Sequence, residues 1–388
     1  MPLFYLLRAW LPLSPRVTGS ETLIYLLSCA VNENECKLKP DEIDFDGLYL
    51  LASNHVLCSA VAYALESAGI SEGRFEQAKL KAKRRLGLFD LEREKIGTML
   101  NEAGIWFLPM KGIVLKDCYP RYGMREMSDN DNLCNSTKMA EVRQIMESLG
   151  YRCESYGEWH HDSYQKPPTL SFKMHRRLFA EDVSPAAVEY YATVFDRLVQ
   201  RSGCEYAFTD EDFYIYMLAH TYKHFSHNGT GLRPLLDIYV YLKKHPELDF
   251  DYIGRELEKL QISRFGQQSR DLAEKLFSLR KLSEEDTELL SIYFNSSLYG
   301  SSEQGAYNYL TRQLEGKDTK RVKAKYFFDR LFLHGDDLKT NYPFFAEHKW
   351  LLPALYIYRP FKGMIIRPKE IVTRIKDVVK YRSPKNKW

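Results

Sequence analysis

The chain has no C-x-x-C pair, and its seven cysteines (Cys29, Cys36, Cys58, Cys118, Cys134, Cys153, Cys204) are scattered and odd in number. That argues against a disulfide framework or a cysteine zinc site and reads as reduced thiols, hence a cytoplasmic protein. No apolar run reaches the roughly 18 residues of a membrane span. Met1–Leu13 is apolar, but Arg8 interrupts it, no basic segment precedes it and no small-residue cleavage site follows. It reads as a packed first helix rather than a signal peptide. Internal repeats and low-complexity stretches are also missing.

The chain has little net charge either. Its formal balance is +3 over 388 residues, so bulk electrostatics name no partner. The distribution is uneven. Residues 362–388 hold nine Lys/Arg against two acids, a balance of +7 that leaves −4 for the rest. Within that tail Ile371, Val372, Ile375, Val378 and Val379 share a helical face among basic residues. Such a helix can lie on an anionic membrane surface; the reading preferred here packs its apolar stripe on its own domain.

What is present fits a folded, multi-unit protein. Hydrophobic residues make up 45% and charged residues 28%, enough to bury a sizeable core. Residues 1–103 read as helical, with one helix over Ala52–Leu65 and a long one over Ser71–Ala103. Lys79, Lys81, Lys83, Arg84 and Arg85 on the latter read as a solvated face. From Gly104 the pattern changes. Ile105–Leu108 reads as a strand, Ile113–Cys118 as a helix, Asp129–Cys134 as a strand and Thr137–Leu149 as a helix. Tyr151–Ser155 and Leu170–His175 follow as strands. This is the spacing of a compact α/β module over 104–181. Helices dominate 182–361, with a loop at Tyr299–Glu303, and the basic tail covers 362–388.

The stretch Met110–Leu133 carries the chemistry. In an extended strand Asp129 and Asp131 point to one face, and paired carboxylates invite a divalent cation. Upstream, Lys111-Gly112 sits where a strand becomes a helix, a place suited to phosphate. Together they suggest a metal–triphosphate site, although each half alone is a weak signal.

The run LPMKGIVLKDCYPRYGMREMSDNDNLC resembles the signature of the nucleotidyltransferase superfamily that includes DNA polymerase β, most of all a large bacterial branch of nucleotidyltransferase family proteins. The matching positions are Lys111-Gly112, Tyr119-Pro120, Arg125 and Asp129/Asp131. Residues 170–179, 218–244, 297–304 and 342–353 resemble later landmarks of that branch, so the likeness runs from about residue 50 to 365. It implies an α+β fold with a mixed β-sheet flanked by helices. It also implies Mg2+ (or Mn2+) on Asp129 and Asp131, and an NTP, ATP among the candidates, whose triphosphate meets Lys111, Gly112 and Arg125. Transfer of a nucleoside monophosphate to an acceptor would release pyrophosphate. The acceptor is a small molecule, sugar or protein; nucleic acid is disfavoured because no basic groove with interleaved aromatics surrounds the motif.

Two departures stand out. Lys173 occupies the position where the superfamily usually has a third carboxylate. A lysine facing Asp129 and Asp131 replaces metal charge with an ammonium, which gives the alternative of a degenerate nucleotide-binding protein; otherwise Glu154, Glu158 or Asp162 supplies the third oxygen. Asn132, polar where the family is usually apolar, is the second. His175, two residues from Lys173, is a candidate acid/base or phosphate contact. His220 and His224, four apart on a helix, can seat a metal, but the ligand set is incomplete, so a pocket or structural role is preferred. With Arg233 and Asp237, read as an ion pair, they are candidates for the acceptor side. His160-His161-Asp162 can bind metal or acceptor, or be ordinary surface before Pro167-Pro168.

Overall fold

The computed structural model describes residues 18–180, 185–296, 321, 323, 325–328, 332, 338, 342–366 and 378. The expected helix over Met1–Leu13 and the Tyr299–Glu303 loop lie outside these residues, as does most of the basic tail.

Helices Thr18–Asn32 (α1), Phe45–His55 (α2), Cys58–Ser67 (α3) and Gly73–Glu102 (α4) precede the first strand. The single helix expected over Ala52–Leu65 is two. Val56 adopts a left-handed conformation (φ 56°), and its N–H closes α2 on the Ala52 and Ser53 carbonyls. The long helix α4 starts where the Glu72 carboxylate accepts the Arg74 and Phe75 amides. Phe75, Leu86, Phe89, Ile96 and Leu100 form its buried stripe, while Lys81, Lys83 and Arg84 stay exposed. Gly104 (φ 63°) ends it, and the Ile105 amide bonds back to the Leu100 carbonyl. Ile105 thus closes the helix, which moves the strand two residues beyond its expected start.

Strands Phe107–Met110 (β1), Asn130–Cys134 (β2), Arg152–Ser155 (β3), His161–Lys166 (β4), Leu170–His175 (β5), Leu198–Ser202 (β6) and Glu205–Phe208 (β7) form one sheet in the order β3-β4-β5-β2-β1-β7-β6. The β2–β5 and β1–β7 pairs are parallel and the others antiparallel. The fold is therefore α+β, with a mixed sheet. Two short helices cross within it, Gly112–Leu115 (α5) and Met139–Ser148 (α6). Residues 198–208, expected among helices, form a hairpin around Gly203 that extends the sheet beside β1.

Side chains alternate along each strand, and this sorts the sheet into two faces. Phe107, Cys134, Tyr164, Phe172 and Met174 join Leu86, Phe89, Ile96 and Leu100 of α4 and Met139, Val142 and Met146 of α6 in one core. Phe172 packs edge-on against Phe89 and Tyr151; burying such a ring contributes about 1.5–3 kcal/mol. Asn132 belongs to this side, opposite Pro109. The other face carries Asp131, Lys173, His175, His161 and Ser163.

Pro185–Tyr190 (α7), Asp210–His227 (α8), Arg233–Lys244 (α9), Phe250–Lys259 (α10), Ser263–Phe277 (α11) and Glu284–Asn295 (α12) follow. The chain divides into two compact units, residues 1–223 with 231–294, and 224–230 with 295–388. In the second, Pro343–Glu347 (α13) and Leu352–Ile366 (α14) are helices.

Candidate functional site

The polar face of the sheet gathers its groups by register. Asp131 of β2 stands opposite Lys173 of the parallel neighbour β5, and Leu133 opposite His175. On the far side of β5, Ser163 of β4 pairs with Lys173 and His161 with His175. Lys173, His175 and His161 therefore share the face of Asp131, and Lys173 reaches Asp129 just before β2.

Lys111 leaves β1 with φ 53° and ψ −121°, a backbone state that costs a side-chain-bearing residue about 1–3 kcal/mol. Its Nζ lies 2.8 Å from Asp131 Oδ1, and His175 Nε2 lies 2.8 Å from the same oxygen. Lys173 Nζ donates to Asp129 Oδ2 at 2.6 Å. Burial works to raise the Asp131 carboxyl, but Lys111 and the His175 hydrogen bond outweigh it and hold it well below the usual carboxylate range. Burial pushes His175 below its ordinary value despite the Asp131 hydrogen bond. With an ionised Asp131 accepting, the neutral imidazole carries its proton on Nε2.

Three histidines converge here. His160 and His161 rings lie 4.7 Å apart, His161 and His175 4.9 Å, and His160 and His175 5.4 Å. Burial, then His175, lowers both of the other two; His161 falls to about 3. The Nδ1 atoms of all three are buried without a hydrogen-bond partner.

Gly112 and Arg125 belong together. A Cβ on Gly112 would sit 2.6 Å from Arg125 Nη1 and 3.1 Å from Met127 Cε. The glycine makes room for the arginine. Arg125 in turn donates from Nε and Nη2 to both oxygens of Asp237 at 2.7 and 2.9 Å, and Tyr119 donates to Oδ1 at 2.8 Å. Thus the guanidinium expected to meet triphosphate is committed to a buried, bidentate ion pair with α9. Arg125 also fills the place in which Arg233 was expected; Arg233 Nη1 lies 3.4 Å from the Glu126 carbonyl oxygen.

Helix α8 brings Tyr216 close enough that the Asp131 charge, after burial, raises its phenol well above the ordinary value. The His220 ring lies 6.1 Å from Tyr216. His224, one turn further along, belongs to the second compact unit.

Sequence reasoning treated 160–162 as an isolated cluster and missed its place beside His175. The alternation His161, Ser163, Gln165 against Asp162, Tyr164 was the available signal for β4.

A two-metal magnesium centre needs carboxylate oxygens beyond the Asp129/Asp131 pair. Lys173 holds the register position opposite Asp131. Asp162 points to the other face of β4, fully buried, and is tied to Arg176 and the Gly157 amide. Glu154 pairs with Arg152 on the edge strand, and Glu158 lies exposed in the turn before β4. The residues present do not make that donor set.

Comparison with known proteins adds the family. A crystal structure of an antigenic nucleotidyltransferase-like protein from Paracoccidioides brasiliensis is similar at 13% identity, over 50% of this chain and 96% of that one, with a TM-score of 0.30. No curated protein matches the chain. The family model described as "Uncharacterised nucleotidyltransferase" matches residues 41–278, more than half of the chain and the whole of the sheet, and the chain belongs to that family.

Proposed function

We propose that the chain binds the triphosphate of an NTP on the polar face of the sheet, with lysine ammonium groups in the role that metal ions play at a two-carboxylate site. The observation that carries this reading is the pair of bridges Lys173–Asp129 at 2.6 Å and Lys111–Asp131 at 2.8 Å. Each carboxylate is already neutralised from within the chain, so a metal cation gains less there than at a bare pair. Bound phosphate would draw Lys173 from its partly exposed bridge, while Asp131 stays held by Lys111 and His175. On this reading nucleotidyl transfer is weak or lost, and the chain acts as a nucleotide-binding protein.

A second reading, Mg2+- or Mn2+-dependent transfer of a nucleoside monophosphate to an acceptor, draws on family membership and on one structural feature. The side chains of Lys173 and Asp129 are 33% and 28% exposed, so their bridge sits where a metal–nucleotide could open it. His220, beside Tyr216, would then border the acceptor.

The test is binding of the four NTPs to the full chain, with and without Mg2+, for wild type and the Asp129→Asn/Asp131→Asn variant. The first reading expects binding without metal, weakened by Lys173→Ala. Binding that requires Mg2+ and disappears in the double aspartate variant would overturn the first reading and support the second.

A further inference from the structure

Beside the lysine–carboxylate pairs, the polar face holds a histidine cluster whose unpartnered ring nitrogens the nucleotide reading leaves unused. His160, His161 and His175 each offer a ring nitrogen, and these atoms lie within 4.8 Å of one another. Neutral imidazole nitrogens are ligands for zinc-class transition metals, and a tetrahedral zinc with bonds of about 2.0–2.1 Å needs its nitrogens about 3.3 Å apart. Metal binding would therefore draw the rings together, and His160 and His161, both partly exposed, are the ones with room to turn.

A second, independent observation points the same way. His175 is 2% exposed, and its Nδ1 is buried with no partner. Its Nε2 is meanwhile hydrogen-bonded to Asp131 Oδ1 at 2.8 Å. A carboxylate that takes one ring N–H and turns the opposite lone pair inward is how metal-binding histidines are oriented. Buried polar atoms are normally satisfied, yet the Nδ1 atoms of His160 and His161 share the same condition. A zinc-class ion would satisfy unpartnered imidazole nitrogens in such a group, and magnesium, which prefers oxygen, does not suit them.

We propose that His160, His161 and His175 form a three-histidine site for a Zn2+-class ion, with Asp131 as the residue that positions His175. Three protein ligands leave a fourth position for water or a phosphate oxygen. The cluster is reached through His160 and His161, the partly exposed members.

The test uses the full-length chain, stripped with a chelator and titrated with Zn2+ by calorimetry and equilibrium dialysis. One Zn2+ per chain, retained in excess Mg2+, is expected. The His160→Ala/His161→Ala variant loses that stoichiometric uptake, whereas His245→Ala, whose ring lies against Asp210 and Tyr241, keeps it. Asp131→Asn weakens affinity roughly 10–100-fold, as for other outer-shell partners. X-ray absorption at the zinc edge of the wild type reads imidazole ligation directly and does not depend on any variant folding. Absence of stoichiometric uptake, uptake that survives the double histidine change, displacement by Mg2+, or an all-oxygen zinc environment would each overturn the site. None of these readouts depends on NTP binding, so the two proposals fail separately.

Discussion

Asp237 and Asp131 are both buried aspartates with a cationic partner, and they differ in how completely their surroundings are satisfied. Asp237 has Arg125 across both oxygens and Tyr119 on one of them. Burial opposes the Arg125 charge, but Asp237 more than compensates and raises its pKa. Asp131 has Lys111 and His175 on a single oxygen, and the Nδ1 atoms of His175 itself and of His160 and His161 have no partner. The first centre is closed and holds the loop 119–125 to α9. The second has bonding capacity to spare, and spare capacity is where a ligand gains most.

The largest effect is expected at the closed centre. Asp237→Ala leaves Arg125 buried and unpaired, and urea unfolding should show a loss of about 3–5 kcal/mol. Asp131→Asn should cost less, about 1.5–3 kcal/mol, because it weakens charge-assisted hydrogen bonds while Lys111, partly exposed, can turn to water. If the two losses were reversed, Asp131 would be the structural centre and the contrast would fail. Gly112→Ala sharpens the link between the glycine turn and the closed centre. The added methyl meets Arg125 and Met127, so a loss of about 1–3 kcal/mol is expected, and a neutral result would detach Gly112 from Arg125.

A further buried group separates general acid sensitivity from that of the site. His55 Nδ1 accepts the Leu232 amide at 3.2 Å, and burial lowers its pKa to about 4. The unfolded imidazole takes up a proton near pH 6.5, whereas the folded one stays neutral until about 4. Stability is therefore full above about pH 6.5 and falls as pH drops toward 4. At pH 5 the loss from His55 is about 2 kcal/mol. Denaturant midpoints at pH 7 and 5 should differ less in His55→Gln than in wild type.

The sequence was informative where pairing is local or where a motif carries its own spacing. The strand Leu170–His175 lies where its alternation placed it, and Asp131, Lys173 and His175 fall on one face because side-chain period and register agree. The turn at Lys111-Gly112 is where the strand-to-helix transition put it. What escaped depended on distant partners. Arg125 and Asp237 are 112 residues apart, and no local pattern pairs them. The β6–β7 hairpin is short, exposed along β6, and becomes part of the sheet only through β1. β4 was hidden because His160-His161-Asp162 drew attention as a chemical cluster, while its alternation only acquires meaning once β5 lies alongside.

Mg2+ titration of NTP binding in wild type and in Lys173→Glu, followed by calorimetry, tests the role of the Lys173 ammonium. If Lys173 stands in for a metal's charge, wild type binds NTP with little response to Mg2+, and Lys173→Glu gains a clear Mg2+ requirement. Equal Mg2+ dependence in the two proteins would contradict the account and place Lys173 outside the chemistry of the site.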